Sequence, residues 1–213
     1  HAKWLKVTRG LEWRKPISSL NIVLTSNVWQ QDHNGYTHQE PGFMDFIANK
    51  KREIVSIYLP PDANSLIACT RKSQQSYNKI NVIIASKHPS LQWLTMDKAM
   101  ENLEKGVAVW DEICQNDYKN PDVVIACAGD NATLEAVACV SLIRQYLPKL
   151  NVRFVNVVDI MKLENNSLHP HGLTDSEFDK LFTKDKPVIF NFHGYPKFIH
   201  DMIIFRHNRN IDV

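Results

Sequence analysis

The sequence predicts an α/β protein with mostly parallel sheets flanked by helices, and three features carry that expectation. Short Val/Ile-rich runs alternate with longer helix-like segments along 213 residues. The short runs lack clean polar alternation, the texture of parallel strands buried on both faces. The intervening segments carry helical spacing or cap residues, so right-handed strand–helix–strand crossovers connect the sheet.

Strands are expected at residues 21–26, 53–58, 79–86, 122–128, 152–158 and 187–193, and helices at 42–51, 63–77, 96–105, 131–146 and 176–182. Asp62 can cap the second helix, and Asp130 or Asn131 the fourth. Their oxygens accept the backbone N–H groups that a first helical turn leaves unpaired. Leu134, Val137, Ala138, Ser141 and Leu142 recur at helical spacing and predict the packing face of that fourth helix. The polar stretch Gln115-Asn116-Asp117-Tyr118-Lys119-Asn120-Pro121 separates a helix from a fresh buried strand. It sets a domain boundary, with consecutive units at residues 1–115 and 116–213.

Composition narrows the class further. Hydrophobic residues make up 44% and charged residues 23%, enough apolar content for a core without metal or disulfide staples. Twenty-five basic against 23 acidic residues leave a charge of +2, so neither nucleic acid nor an anionic membrane is an expected partner. No apolar run approaches the roughly 18 residues of a membrane-crossing helix. Cys69, Cys114, Cys127 and Cys139 form no C-x-x-C pair and read as reduced thiols, with a cytoplasmic location as the default. No G-x-G-x-x-G or Walker loop occurs. Ala128-Gly129-Asp130-Asn131 comes nearest to an anion nest, and an ordinary helix-capped connection is the better reading. The start, His1-Ala2-Lys3-Trp4, resembles no signal peptide and lacks an initiating Met, which points to a processed or excised piece.

The most unusual stretch is Trp29-Gln30-Gln31-Asp32-His33-Asn34-Gly35-Tyr36-Thr37-His38-Gln39-Glu40-Pro41-Gly42-Phe43. It follows a strand and precedes a helix, where α/β folds place ligand-binding loops. His33 and His38 would diverge by about 140° on a helix and face opposite sides of a strand, so only a turned loop lets both imidazoles converge. Gln31, Asn34, Thr37 and Gln39 add neutral donors suited to a hydroxylated or phosphorylated compound, and histidine exchanges protons near neutral pH. Two histidines at this spacing match no standard metal-ligand pattern. Residue chemistry alone leaves two readings open, a binding or catalytic loop and a polar surface loop.

Family resemblance narrows that choice. Ser19-Leu20-Asn21, Leu24-Thr25-Ser26 and the Trp29–Phe43 motif resemble phosphoketolases of the thiamine-diphosphate family. So do Tyr58-Leu59-Pro60-Pro61-Asp62-Ala63-Asn64 and Leu91-Gln92-Trp93-Leu94-Thr95-Met96-Asp97. Further matches are Ala126-Cys127-Ala128-Gly129-Asp130, Val155-Asn156-Val157-Val158-Asp159 and Phe190-Asn191-Phe192-His193-Gly194-Tyr195-Pro196. The resemblance runs in order along essentially the whole chain.

It implies two transketolase-like units, a pyrimidine-binding domain truncated at its front (1–115) and part of a C-terminal domain (116–213). The implied reaction cleaves xylulose 5-phosphate, and by extension fructose 6-phosphate, with inorganic phosphate to acetyl phosphate and an aldose phosphate. Thiamine diphosphate would be the electron sink, with magnesium on its diphosphate. Both are expected mainly from upstream regions or a partner subunit of a homodimer, and no cofactor or metal ligand is assigned in this chain. Dehydration needs an acid, and phosphate capture needs donors. By motif position, His38 is expected beside the reacting carbons, aiding proton transfer, and His33 to contact phosphate and orient substrate. Gln31 and Asn34 match substrate-contacting amides. Lys87, in Ile83-Ile84-Ala85-Ser86-Lys87-His88-Pro89, matches a phosphate-contacting lysine.

Phosphoketolases are several times longer than this chain, so the isolated chain is expected to be inactive. Two other functions remain in view, an assembly module on the same scaffold and a transketolase-type carbon-transfer enzyme. His169-Pro170-His171-Gly172 is expected to be a loop before a helix rather than a metal site. His193 and Tyr195 are expected in packing or subunit contact, and Trp93 in packing.

Overall fold

The computed structural model describes residues 1–25, 41–50 and 52–213. The elements follow in the order α1 (Ala2–Thr8), β1 (Leu20–Leu24), α2 (Gly42–Ala48), β2 (Val55–Tyr58), α3 (Ala63–Gln74), β3 (Ile80–Ile84), α4 (Met96–Lys105) and β4 (Val107–Val109). Then come β5 (Val123–Ala128), α5 (Asp130–Tyr146), β6 (Val152–Val157), α6 (Asp175–Phe182), β7 (Val188–Phe192), α7 (Pro196–Ile203) and β8 (Ile211–Asp212). Every strand and helix expected from the sequence has its counterpart here, with ends shifted by a few residues.

Two sheets result. The first has the order β1-β3-β2 and is wholly parallel, with Leu20 opposite Ile80 and Val55 opposite the same residue. The second has the order β4-β6-β5-β7-β8, parallel except for β4, which runs antiparallel to β6. The central strands are buried on both faces, which explains their unbroken Val/Ile texture: Val82, Val124, Val155 and Val157 are fully covered. One core joins both sheets, with Ile57, Leu59 and Val82 packed in a cluster with Val124, Ala126 and Val155. The backbone crosses too, since Leu59 N–H donates to the Val158 carbonyl at 2.8 Å.

Four elements escape the sequence pattern. β4 is three residues and β8 two, too short for periodicity to register. β4 is released by Gly106, which ends α4 at φ 75 and donates its N–H to Asn102 at 2.7 Å. A Cβ on Gly106 would stand 2.6 Å from Lys162 Cγ, so this close approach needs glycine as well. α1 buries Leu5 alone. α7 starts with proline in its first turn and buries Phe198, Ile199, Met202 and Ile203.

Two helix expectations are corrected. The buried face of α5 is Ala132, Thr133, Ala136 and Val140, whereas Leu134 and Leu142 are 41% and 55% exposed. Leu134 sits about 200° around the helix from Ala132. Small residues let α5 lie close on β5 and β7, so side-chain bulk marks the wrong stripe. The cap of α5 is Gly129, with φ 96, and neither Asp130 nor Asn131. Asp130 is instead the first helical residue. Asp62 does cap α3, accepting the Ser65 N–H at 2.8 Å.

Two buried arginines tie together the segments around the second sheet. Arg206, 1% exposed, donates to the carbonyls of Leu163, Glu164 and Leu173, pairs with Asp175 at 2.7 Å and stacks on Phe178. Arg153 donates to the carbonyls of Tyr118, Lys119, Lys180 and Leu181. All four cysteines are free thiols, and burial pushes Cys127 up to about 11. Among the described residues no helix is long and apolar enough to cross a membrane.

Candidate functional site

The parallel strands of the first sheet end together. β1 and β3 are neighbours to their last residues, Leu24 opposite Ile84, and the Ala85 N–H donates to the Leu24 carbonyl at 2.9 Å. From β3 the chain continues as Ala85-Ser86-Lys87-His88-Pro89, and from β2 as Leu59-Pro60-Pro61-Asp62. A cavity of about 270 Å³ lies between these segments, lined by Pro60, Asp62, Ala85, Ser86, His88 and Asp130 among others. Lys87 stands between two of the lining residues and is itself exposed. Carboxyl ends of parallel strands are where α/β folds place ligands.

Asp62 is the structural hub of this end. Beyond its cap on α3, its second oxygen accepts from Gln92 Nε2 at 2.6 Å, the Trp93 N–H at 3.0 Å and the Leu94 N–H at 2.8 Å. Asn64 Nδ2 adds a bond to the Leu94 carbonyl at 2.8 Å. Two motifs some 30 residues apart, 58–64 and 91–97, are thereby one structural unit. Trp93 packs against the core cluster of Trp110 and Phe154, as its sequence environment predicts.

The second sheet contributes Asp130 from the end of β5. Its Oδ1 accepts the Asn131 N–H at 2.7 Å and its Oδ2 the Ser86 N–H at 3.1 Å. Burial raises the carboxyl pKa above the ordinary value, with the two N–H groups acting against that rise. The first turn of α5 therefore already holds a carboxylate where an anion would bind. That agrees with the reading of Ala128-Gly129-Asp130-Asn131 as a helix-start connection.

Of the residues singled out from sequence, Lys87 is described, on the loop after β3. Gln31, His33, Asn34 and His38 lie outside the described residues, and the chain leaves toward them from the end of β1. His193 follows β7, whose last residue Phe192 pairs with Ala128 beside Gly129. Burial lowers its imidazole pKa to about 4, so the ring is neutral at pH 7. A Cβ on the next residue, Gly194, would stand 3.2 Å from Met44 Cε of α2, so this strand end meets the helix that follows the His33–His38 segment. From the sequence His193 is expected in packing or subunit contact. Its place directly after a buried strand was the available signal for the site end of the fold.

His169 and His171 lie in the loop before α6, as expected. His169 is buried, and its Nδ1 accepts the His171 N–H at 3.1 Å, which holds the turn. Among the described residues no three His, Cys, Asp or Glu side chains gather to hold a metal.

Comparison with known proteins now decides the family. Residues 87–213 match the family described as the XFP C-terminal domain, and residues 1–76 match D-xylulose 5-phosphate/D-fructose 6-phosphate phosphoketolase. The chain belongs to the phosphoketolase family. A probable phosphoketolase of Clostridium acetobutylicum is 55% identical over 213 residues, all of this chain and 27% of that protein. One from Bradyrhizobium diazoefficiens is 56% identical over 98% of this chain and 26% of its own length. The chain thus spans about a quarter of the length of the curated relatives it matches.

Solved structures place this phosphoketolase-family chain in the transketolase-like fold. Transketolase from Campylobacter jejuni superposes with a TM-score of 0.56 at 10% identity, over 91% of this chain and 26% of that one. A transketolase mutant from Pichia stipitis gives 0.57 at 17% identity, over 81% and 22%. The resemblance to phosphoketolases read from the motifs, and the α/β class with mostly parallel sheets, therefore both hold.

Proposed function

We propose that this chain is the part of a phosphoketolase that supplies phosphate-binding and proton-transfer groups for cleaving xylulose 5-phosphate, or fructose 6-phosphate, to acetyl phosphate and an aldose phosphate. The observation that carries this reading is the adjacency of the β1 and β3 ends. The segment bearing Gln31, His33, Asn34 and His38 departs one residue after Thr25, and Lys87 stands three residues after Ile84 on the paired strand. In this reading Lys87 offers an ammonium to phosphate, and His33 orients the same group. Gln31 and Asn34 hold substrate hydroxyls, and His38 delivers the proton that lets a hydroxyl depart as water.

Thiamine diphosphate would supply the electron sink and magnesium would neutralise its diphosphate. The described residues gather no metal-binding cluster. Upstream regions or the partner subunit of a homodimer would provide both, in a cytoplasmic enzyme, with the pyrimidine-binding unit at 1–115 and the C-terminal unit at 116–213. The 213-residue chain by itself would then make no acetyl phosphate.

The test is His38→Ala in the complete protein that carries this sequence, assayed for acetyl phosphate. The expected result is loss of product formation with substrate binding retained. Acetyl phosphate made at the unaltered rate refutes the proton-transfer role, and carbon transfer to an aldose without phosphate consumption favours a transketolase-type reaction.

A further inference from the structure

Lys79 immediately precedes β3, at the opposite end of that strand from Lys87. Its Nζ stands 3.5 Å from His171 Nε2, on the loop before α6. Beside this pair a cavity of about 540 Å³ opens among α4, β4 and α6, with Lys105, Lys162, His171 and Lys180 among its lining residues. These cations come from separate segments of the chain, so the fold gathers them and no local charge run explains the cluster.

The acids nearby are already committed. Glu104 pairs with Lys72 at 3.0 Å. Glu177 accepts the Thr174 N–H at 2.8 Å and the Thr174 hydroxyl at 2.7 Å in the α6 capping box. Lys105 is answered by Glu101 at 2.7 Å. Asp159 accepts the Met161 N–H at 3.1 Å and lies within the field of Lys162, Lys72 and Lys79. Lys79, Lys162 and Lys180 have no carboxylate within ion-pair distance among the described residues. Lysines 79, 162 and 72 also press the His171 imidazole toward its neutral form, in addition to its burial. Glu104 and Glu177 also line the cavity, and Glu177 lies in the field of Lys162 and Lys180, yet Lys79, Lys105, Lys162 and Lys180 outnumber these two acids, so a small anion would relieve the remaining repulsion among the lysines.

We propose that this cavity binds a small phosphate-bearing anion, with Lys162 and Lys180 as its principal contacts and the Lys79–His171 pair at its rim. The cavity is large enough for a phosphorylated metabolite as well as for inorganic phosphate or pyrophosphate.

Calorimetric titration of the complete protein with inorganic pyrophosphate tests this, with any thiamine diphosphate site saturated beforehand. A Lys87→Ala background silences the β3 carboxyl end, which keeps the outcome separate from the proposed catalytic role. Binding is expected to persist in Lys87→Ala and to weaken about tenfold or more in Lys162→Ala and in Lys180→Ala. Conservative Lys162→Arg should retain it, and added salt should weaken it. Unchanged unfolding midpoints in the variants establish that the fold is intact. The proposal is overturned by absence of pyrophosphate binding in Lys87→Ala, or by affinity unchanged in the folded Lys162→Ala, Lys180→Ala double variant.

Discussion

Asp130 Oδ2 accepts the Ser86 N–H at 3.1 Å, so the first residue of α5, beyond the second sheet's β5, fixes the residue before Lys87, beyond the first sheet's β3. The phosphate contact proposed for Lys87 requires its loop to be held, and this bond crosses between the sheets to hold it. Asp130→Ala should raise the KM for inorganic phosphate in the complete protein while leaving kcat within a few-fold, and should cost about 1 kcal/mol of stability. Asp130→Asn keeps an acceptor oxygen and should restore most of the KM. A KM unmoved in the alanine variant would leave the bond with a purely structural role.

Asp62 accepts four hydrogen bonds from two separate segments while 3% exposed. Truncation leaves several buried donors unpaired, so Asp62→Ala should lower unfolding stability by about 2–4 kcal/mol in urea melts. Asp62→Asn should recover only part of that, because one of its two terminal atoms no longer accepts.

Arg206 answers three backbone carbonyls and Asp175 from a buried position. Arg206→Ala strands those carbonyls and opens a void beside Phe178, an expected loss of about 3–5 kcal/mol. Arg206→Lys should rescue little, since an ammonium cannot span the same fan of acceptors. Thermal unfolding of both variants checks this.

Asp159 and His193 should bend the pH–stability curve in opposite directions. Burial raises the Asp159 carboxyl to about 6, from an ordinary 3.8. Its contribution is therefore full below pH 3.8 and is lost as pH rises through 6, by up to about 3 kcal/mol. Asp159→Asn should remove that fall, so the variant gains on wild type between pH 4 and 7. Burial lowers His193 from 6.5 to about 4. Stability linked to it is full above 6.5 and declines as pH falls toward 4. His193→Gln should flatten that acid limb. Denaturant midpoints measured from pH 4 to 8 separate the two.

The sequence pattern carried much of this fold because the long elements obey simple physics. Parallel strands such as β5 and β6 are buried on both faces and read as unbroken apolar runs, and Asp62 sits where the start of α3 needs an acceptor. What stayed illegible depends on tertiary contacts. β4 exists because β6 offers it an edge, and α5 packs through alanines because β5 and β7 lie close beneath it. At the candidate site, the position of Lys87 on the loop after the buried strand β3 was readable. The Asp130–Ser86 bond was not, because it joins residues 44 apart through a side chain expected to cap its own helix. The cavity bordered by Lys162, His171 and Lys180 was equally hidden, since its residues converge only after folding.

In the proposed function Lys87, on the loop after β3, serves phosphate in a phosphoketolase reaction. Steady-state formation of acetyl phosphate from xylulose 5-phosphate and inorganic phosphate, by the complete protein and its Lys87→Ala variant, tests it most directly. The expected result is acetyl phosphate from the parent and a KM for phosphate raised about tenfold or more in Lys87→Ala, with the fold unchanged. A parent that makes no acetyl phosphate, or a variant whose KM for phosphate equals that of the parent, contradicts it.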